Sequence, residues 1–287
     1  MDQRIIDLYD EFTHTNVPRR EFLTRLAKIT GSMSAAAALL PMLDNNYAHA
    51  RVVPPDDSRV AEDYVEYPGP RGPVRAYQAT PTGTGPFPGV VVIHENRGLN
   101  PHIEDVARRA ATAGYLAVAP DALSPLGGTP GEEDRARTMM RELDADETRD
   151  NFVAGVTYAG GHQSSTGRVG CVGFCWGGAM ANQLAVHSAE LQAAVAFYGR
   201  QPAAADVPRI KAAILLHYAG LDRRINEGIP DYEEALKAAG VKYELHMYDG
   251  VNHAFHNDTS PTRYDETAAK LAWDRTMAFF DRELSDR

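Results

Sequence analysis

The sequence predicts an α/β fold with a mostly parallel central sheet, helices on both faces and an antiparallel pair of strands at the N-terminal edge. From residue 51 onwards, short and nearly continuous apolar runs alternate with helical patterns, which is typical of parallel strands joined by crossover helices. The chain has 287 residues with 44% hydrophobic content, enough to bury a large core. We therefore expect residues 51–287 to form one domain and residues 1–50 a separate segment.

The predicted strands differ between the edge and the interior of the sheet. Glu62–Tyr67 and Val74–Thr80 flank Pro68-Gly69-Pro70, which favours an antiparallel hairpin. Six apolar runs fit interior strands: Val90–His94, Tyr115–Ala119, Val169–Phe174, Ala193–Phe197, Ala212–His217 and Tyr243–Tyr248. The Pro- and Gly-rich insert Leu123–Asp134 is expected to be a surface loop beside the strand ends and is a candidate lid.

Charge and cysteine content narrow the classes of partner. The formal net charge is −10, which argues against nucleic acid because binding to phosphates needs a basic face. A small-molecule partner is therefore expected. Cys171 and Cys175 are the two cysteines of the chain and lie in one short segment, so no disulfide framework is indicated.

The N-terminal segment favours export. Arg19 and Arg20 precede an apolar pair and an Ala-rich run, and Ala48-His49-Ala50 fits a cleavage site, which is the layout of a twin-arginine (Tat) signal. We therefore expect a periplasmic or secreted protein without a membrane span, because the apolar run from Ser34 to Leu43 is shorter than the roughly 20 residues a span needs.

The segment that precedes the arginines is long and acidic for such a signal. The alternative is an amphipathic arm that stays on a cytoplasmic protein. Such an arm would pack either against its own chain or against a second subunit. In the second case the protein would be a homodimer.

The segment Gly173–Gly178, G-F-C-W-G-G, has the pattern of a nucleophile elbow, in which a strand turns sharply into a helix. Cys175 is the candidate nucleophile, and small flanking residues let the helix pack close to the strand. The backbone N–H of Trp176 would face a developing oxyanion, and the start of the helix would favour a thiolate. The alternative is a buried structural cysteine before a tight turn.

Asp222 and His253 each follow a later predicted strand, in "HYAGLDRRI" and "YDGVNHAFHN". The order nucleophile, acid, histidine is the chain order of the α/β-hydrolase triad. Taken alone, Asp222 is also explained as a turn carboxylate and His253 as a loop histidine. His253 and His256 are also candidate metal ligands, but no third carboxylate or thiolate lies at ligand spacing, so no metal site is expected.

Five segments, "HENRGLNPHIEDVARR", "APDALSP", "VGFCWGG", "AGLDRRI" and "NHAFHND", resemble the dienelactone hydrolase (carboxymethylenebutenolidase) family over roughly residues 60–284. The resemblance implies an α/β-hydrolase fold, no cofactor, and Cys175, Asp222 and His253 as the triad. It further implies that Glu95 contacts the resting thiol and that the backbone N–H of Asn96 is the second oxyanion donor. A structural alternative for Glu95 is an ion pair with one of two arginines, Arg97 or Arg108.

The resemblance has a gap at the substrate site. Family members hold a substrate carboxylate with arginines, one of them four residues after the catalytic histidine, and this position is Asn257 here. A dienelactone of chloroaromatic pathways is therefore not the expected substrate. Candidate replacements are Arg97, Arg200 and Arg263 as cationic contacts, with Tyr198 and Trp176 as aromatic walls, although each is also explained as a surface or packing residue.

The expected activity is hydrolysis of carboxylic esters or lactones through a cysteine triad and a thioester, because a thiol needs little help to attack an activated ester. One alternative is a thiol redox enzyme, but Cys171 lies within a predicted strand and is poorly placed as a resolving cysteine. The other is a non-catalytic relative that only binds a ligand, since a fold does not guarantee chemistry.

Overall fold

The computed structural model describes residues 1–49 and 52–285, so Ala50 of the predicted cleavage site lies outside the described residues. Eight strands form one sheet in the order β1-β2-β4-β3-β5-β6-β7-β8. Their bounds are β1 Val60–Gly69, β2 Gly72–Pro81, β3 Phe87–Ile93, β4 Leu116–Pro120, β5 Ser165–Phe174, β6 Leu191–Phe197, β7 Ala213–Ala219 and β8 Tyr243–Tyr248. From β4 to β8 across the sheet all neighbouring strands are parallel, while β1 and β2 are antiparallel to their neighbours. The predicted fold class is confirmed.

The hairpin at the sheet edge is longer than predicted. Gly69 pairs with Gly72, so β1 runs through Pro68 and the turn lies at Pro70 and Arg71. A proline without an N–H is tolerated there because β1 is an edge strand.

Helices cover both faces of the sheet. Their bounds in the α/β domain are α4 Pro101–Thr112, α5 Glu133–Met140, α6 Ala145–Gly161, α7 Trp176–His187, α8 Arg223–Asn226, α9 Ile229–Ala239 and α10 Glu266–Leu284. Alternate residues of β3 point to opposite faces, so that Val90 and Val92 pack with α4 and α10 while Val91 and Ile93 pack with α6 and α7. The strand ends that carry the candidate site are therefore held between two continuous cores.

Three further helices, α1 Gln3–His14, α2 Arg19–Thr30 and α3 Met33–Leu43, form what we call the N-terminal arm, residues 1–43. The arm has its own apolar cluster, in which the rings of Phe12 and Phe22 stack with their centroids 4.4 Å apart. No single helix of the described residues is long and apolar enough to cross a membrane, although α2 and α3, bent by 110° at their junction, reach that length and composition together.

The insert Leu123–Asp134 follows β4. It begins with a 3-10 turn at Ser124–Leu126, continues as a loop and ends in the first residues of α5. The Asp121 carboxylate accepts hydrogen bonds from the backbone N–H groups of Leu123 and Thr129 and from the Thr129 hydroxyl. The loop is thus tied to the end of β4, and α5 lies beside the candidate site.

Candidate active site

Cys175 lies on a strained turn between β5 and α7. Its φ and ψ are 56° and −112°, a backbone conformation that is rare for a residue with a side chain. A Cβ at Gly173 would lie 1.9 Å from the carbonyl oxygen of Gly177, and one at Gly178 would lie 2.5 Å from that of Phe197. The glycines therefore allow β5, β6 and α7 to approach closely, and this approach holds Cys175 at the strand ends.

His253 and Asp222 form a buried pair beside this turn. The Nδ1 of His253 lies 2.5 Å from Asp222 Oδ2, and Asp222 also accepts a hydrogen bond from the N–H of Ile225 at the start of α8. The Nε2 of His253 has no hydrogen-bond partner in the described part of the chain. Because Asp222 accepts from Nδ1–H, Nε2 is left as a proton acceptor.

The partner of the Cys175 sulfur comes from the N-terminal arm. His14 Nε2 lies 3.1 Å from Cys175 Sγ, and His14 Nδ1 lies 2.8 Å from the backbone oxygen of Asp10 and 3.1 Å from its carboxylate. Burial alone lowers the pKa of His14, but the Cys175 sulfur and Asp10 outweigh it and raise the pKa above its ordinary value. Asp10 and His14 did not emerge from the sequence because His14 and Cys175 are 161 residues apart.

Glu95 is buried in the loop after β3. Its Oε2 accepts a hydrogen bond of 2.8 Å from Asn257 Nδ2, and its Oε1 has no partner in the described residues. Burial raises the pKa of Glu95, but His102 and Arg97 lower it more, so the carboxyl stays ionised. Across residues 1–49 and 52–285 the hydrogen-bond partner of Cys175 Sγ is His14 and not Glu95.

A cavity of about 280 Å³ opens beside the sulfur. Its walls come from the arm, from the loop after β3, from α5, from the elbow and from the ends of β6 to β8. They are Thr13, His14, Asn96, Arg137, Met140, Arg141, Cys175, Trp176, Ala179, Tyr198, Arg200, Arg224, Ile225 and His253. Four of these are arginines and none is an acid. Two of the arginines, Arg137 and Arg224, are paired with Asp134 and Asp10 outside the lining.

The structure brings three of the predicted substrate residues into this cavity, namely Trp176, Tyr198 and Arg200. It places the other three, Arg97, Asn257 and Arg263, outside the cavity lining. Arg97 donates 2.7 Å to Glu133 and 3.2 Å to the Tyr9 hydroxyl of the arm, and Arg263 lies over the Tyr9 ring.

Neither of the arginines predicted as alternative partners of Glu95 forms an ion pair with it in the described residues. Arg97 pairs with Glu133 at 2.7 Å, and Arg108 lies 3.5 Å from Glu62. The predicted oxyanion donors Asn96 and Trp176 both line the cavity. The Asn96 side-chain amide donates a hydrogen bond of 2.9 Å to the Thr13 carbonyl of the arm.

One group of side chains in the described residues has the spacing of a metal site. His14, Cys175 and His253 each offer one ligand atom, and these atoms lie within 4.8 Å of one another. Imidazole and thiolate are the ligands that zinc prefers. His256, the second histidine weighed as a ligand, instead packs against the Phe174 ring at 4.9 Å. The expected absence of a metal stays a prediction.

Comparison with known proteins supports the resemblance. A family model described as the dienelactone hydrolase family matches residues 74–284, and one described as YqhI-like matches residues 1–31. A protein of Escherichia coli O157:H7, provisionally named carboxymethylenebutenolidase, is 34% identical over 244 residues, which are 79% of this chain and 88% of that protein. The provisionally named hydrolase fragment YghX of Escherichia coli K12 is 50% identical over 112 residues, 38% of this chain and 96% of the fragment.

Solved structures with a similar fold include a member of the same family. The crystal structure of a provisionally named dienelactone hydrolase from Klebsiella pneumoniae superimposes with a TM-score of 0.71 and 27% identity, covering 78% of this chain and 99% of that one. Three findings point to the same family: homologous sequence over most of the chain, the eight-stranded sheet, and the elbow at its strand ends. The chain belongs to the dienelactone hydrolase family of α/β-hydrolases, and it is a carboxylic ester hydrolase that acts on small molecules.

Proposed function

We propose that the protein hydrolyses carboxylic esters or lactones through Cys175, with His253 and Asp222 completing the triad and a thioester as the intermediate. The observation that carries the proposal is the thiol on a strained elbow, with its sulfur within 4.8 Å of a histidine that is oriented by a buried carboxylate. This is the arrangement of a nucleophile, a base and an orienting acid.

Acylation begins when the Cys175 thiolate attacks the substrate carbonyl and a C–S bond forms. The carbonyl oxygen becomes an oxyanion that faces the backbone N–H groups of Trp176 and Asn96. Collapse of this intermediate breaks the C–O bond, and the leaving oxygen takes a proton from a protonated histidine beside the sulfur. An ester loses its alcohol in this step, whereas a lactone opens its ring.

Deacylation uses the free nitrogen of His253. Its Nε2 takes a proton from water, and the hydroxide adds to the thioester carbon. The C–S bond then breaks, which releases the carboxylic acid and restores the Cys175 thiolate. Asp222 holds His253 in the tautomer that this step needs.

The cavity limits the substrates. A volume of about 280 Å³ suits a small acyl group, and Arg200 in its wall favours a substrate with a carboxylate or another acidic group. Asn257 is buried and donates a hydrogen bond to Glu95. It therefore does not supply the cationic contact that family members have at this position. We therefore expect acidic esters or lactones whose carboxylate is bound by Arg200, because Arg137, Arg141 and Arg224 already contact Asp134, the Thr15 carbonyl and Asp10.

Turnover of p-nitrophenyl acetate and of a panel of lactones, with and without a carboxylate, tests the proposal. Cys175→Ala should lose all measurable turnover, while Cys171→Ala, which removes a thiol from the middle of β5, should keep most of it. Lactones that carry a carboxylate should rank above neutral ones of the same size. Persistent turnover in Cys175→Ala would refute a cysteine hydrolase, and an inactive wild type would favour a ligand-binding role.

A thiol redox enzyme is the weaker candidate. Cys171 is fully buried in β5, and burial raises the pKa of its thiol far above the ordinary value. A resolving cysteine needs a reactive and accessible thiolate. Consumption of peroxide by the purified protein would restore this candidate.

Export through a twin-arginine signal and assembly as a homodimer both stay proposals. The intact mass of protein isolated from whole cells and from periplasm tests the first: a mature form that starts after residue 50 supports export, and a cytosolic form that starts at Met1 refutes it. Sedimentation of the full chain tests the second.

A further inference from the structure

His14 of the N-terminal arm contacts the Cys175 sulfur. We propose that Asp10 and His14 form a second acid–base dyad of the active site, in which His14 holds the proton of the Cys175 thiol in the resting enzyme. This inference rests on the proposed function and commits to an arm that stays on the chain.

The contacts on the two nitrogens of His14 match this role. Nε2 lies 3.1 Å from the sulfur, and Nδ1 faces the backbone oxygen and the carboxylate of Asp10. A proton that moves from the sulfur to Nε2 creates an imidazolium between a thiolate and a carboxylate, and both anions stabilise it. His253 has the same relation to Asp222, and the two imidazole rings lie 4.7 Å apart in an edge-to-face arrangement. One sulfur is thus flanked by two Asp–His pairs.

The α/β domain holds the end of α1 in place with five arginines from helices α5 and α8 and from loops. The Arg137 guanidinium lies 4.4 Å from the Phe12 ring centroid, Arg224 lies 3.5 Å from the Asp10 carboxylate, and Arg141 donates to the Thr15 carbonyl. Arg97 donates to the Tyr9 hydroxyl, and Arg263 lies over the Tyr9 ring. Residues 9–15 are therefore oriented by the catalytic domain itself, as a catalytic side chain requires.

The charges around His14 decide whether it stays protonated. The titratable and charged groups around it are Asp10 on α1, Cys175 at the elbow, His253 with Asp222 behind it, Arg137 on α5, Arg141 just after α5, Arg200 after β6, Arg224 on α8 and Arg263 before α10. Two of the cations, Arg224 and Arg263, lie against Asp10 rather than against the His14 ring. Burial raises the pKa of Asp10, but His253, His14 and Arg224 lower it more, so this pKa lies far below its usual value and the carboxylate stays ionised beside His14.

The two Asp–His dyads transfer protons in different steps of the reaction. In acylation the protonated His14 gives its proton to the leaving oxygen as the C–S bond forms and the C–O bond breaks. In deacylation neutral His253 takes a proton from water as the new C–O bond forms and the C–S bond breaks. The carboxylic acid product returns one proton to His14, and His253 releases the proton that it took from water to the solvent. Each cycle therefore consumes one water, releases an alcohol, a carboxylate and a proton, and leaves the enzyme unchanged.

The reactivity of Cys175 towards iodoacetamide tests this dyad without any substrate. Cys171 is fully buried, so alkylation of the folded full-length chain reports on Cys175, and Cys175→Ser gives the background. We expect the midpoint of the alkylation rate against pH to rise by half a unit or more in His14→Gln, and in the same direction in Asp10→Asn. Glutamine keeps a hydrogen bond but cannot hold the proton.

Lys28→Gln, an exposed change on α2, is the matched control and should leave the midpoint unchanged. Ester turnover by His14→Gln should fall about a hundredfold at pH 6 and recover in part at pH 9, where the thiolate forms without help. A midpoint shift smaller than half a unit in His14→Gln overturns the proposal, whether the absolute rate rises or falls, because the arm would then only shield the sulfur.

The outcome separates this inference from the proposed function. If the midpoint shifts while Cys175→Ala still hydrolyses esters, the dyad activates the thiol and the cysteine hydrolase proposal fails. If Cys175→Ala is inactive and the midpoint does not move, the hydrolase stands and the dyad does not.

Discussion

Asp222 determines which ring nitrogen of His253 carries the proton. Its carboxylate binds the Nδ1–H of His253 and leaves Nε2 free to accept. An uncharged amide at this position can present its NH₂ group instead, which would favour the tautomer that carries the proton on Nε2.

Asp222→Asn should therefore lower kcat for ester hydrolysis by about 10³–10⁴-fold with little loss of fold, as a wrong tautomer does in a serine triad. Asp231→Asn, at an exposed position of α9, is the control and should be neutral. Steady-state kinetics with both variants measures the effect, and a loss of less than tenfold would argue that His253 does not act as the base.

Gly173 sets the distance between β5 and α7. Gly173→Ala should strongly lower the melting temperature and abolish turnover, because its Cβ would lie 1.9 Å from a backbone oxygen that cannot move alone. Gly161→Ala, at the end of α6 where no atom lies within 4 Å of the added Cβ, should be neutral or slightly stabilising. Thermal unfolding of the two variants compares them, and equal melting temperatures would contradict the packing argument.

At the scale of elements, the arm is a small packed unit that docks on the strand ends. Phe22 is fully buried in its cluster and stacks on Phe12, which is two residues before His14. The stability of the arm and the position of His14 are therefore linked through α1.

Phe22→Ala should destabilise the arm by about 3–5 kcal/mol, the usual cost of truncating a buried aromatic residue. Hydrogen exchange should then increase in residues 1–43 while the sheet keeps its protection, because the arm cluster shares no member with the two cores that flank the sheet. Thr24→Ala, an exposed change on α2, is the control. An equal loss of protection in β5 and β6 would show that the arm and the sheet unfold as one unit.

At the scale of the whole molecule, buried histidines make the stability depend on pH. His217 and His256 are buried. Burial is the main cause that keeps the pKa of each well below the ordinary value, and neighbouring positive groups lower it further. The unfolded chain takes up protons at these residues near pH 6.5, whereas the folded chain does not, so acidification favours unfolding. The pKa of His14 is raised and acts in the opposite direction, whereas burial lowers the pKa of a third buried histidine, His94, as well.

The free energy of unfolding should therefore fall between pH 7 and pH 5, by about 2 kcal/mol for each of the two histidines before the opposing contribution. The lowered pKa values of Asp10, Glu95 and Asp258 add a further loss only below about pH 4, where carboxylates of the unfolded chain are protonated. Urea unfolding at pH 8, 7 and 5 measures this, with little change expected between pH 8 and 7. A higher stability at pH 5 than at pH 7 would contradict the assignment of neutral buried histidines.

Local patterns were enough to predict the strands, the elbow and the order of Cys175, Asp222 and His253. Each of these depends on residues that are adjacent in the chain or on the rule that parallel strands end at one edge of the sheet. The elbow glycines are needed at Gly173 and Gly177 because of a close backbone approach, and that requirement is visible in the sequence itself.

Tertiary packing decided the rest of the site. The sequence alone determined that a thiol, an acid and a histidine follow strands of an α/β sheet. Only the folded chain placed His14 against the sulfur, turned Arg97 towards Glu133 and Tyr9, and bonded Asn257 to Glu95. These contacts join residues up to 162 positions apart, and the docking of a helix onto a distant surface depends on shape and charge complementarity that no local pattern encodes.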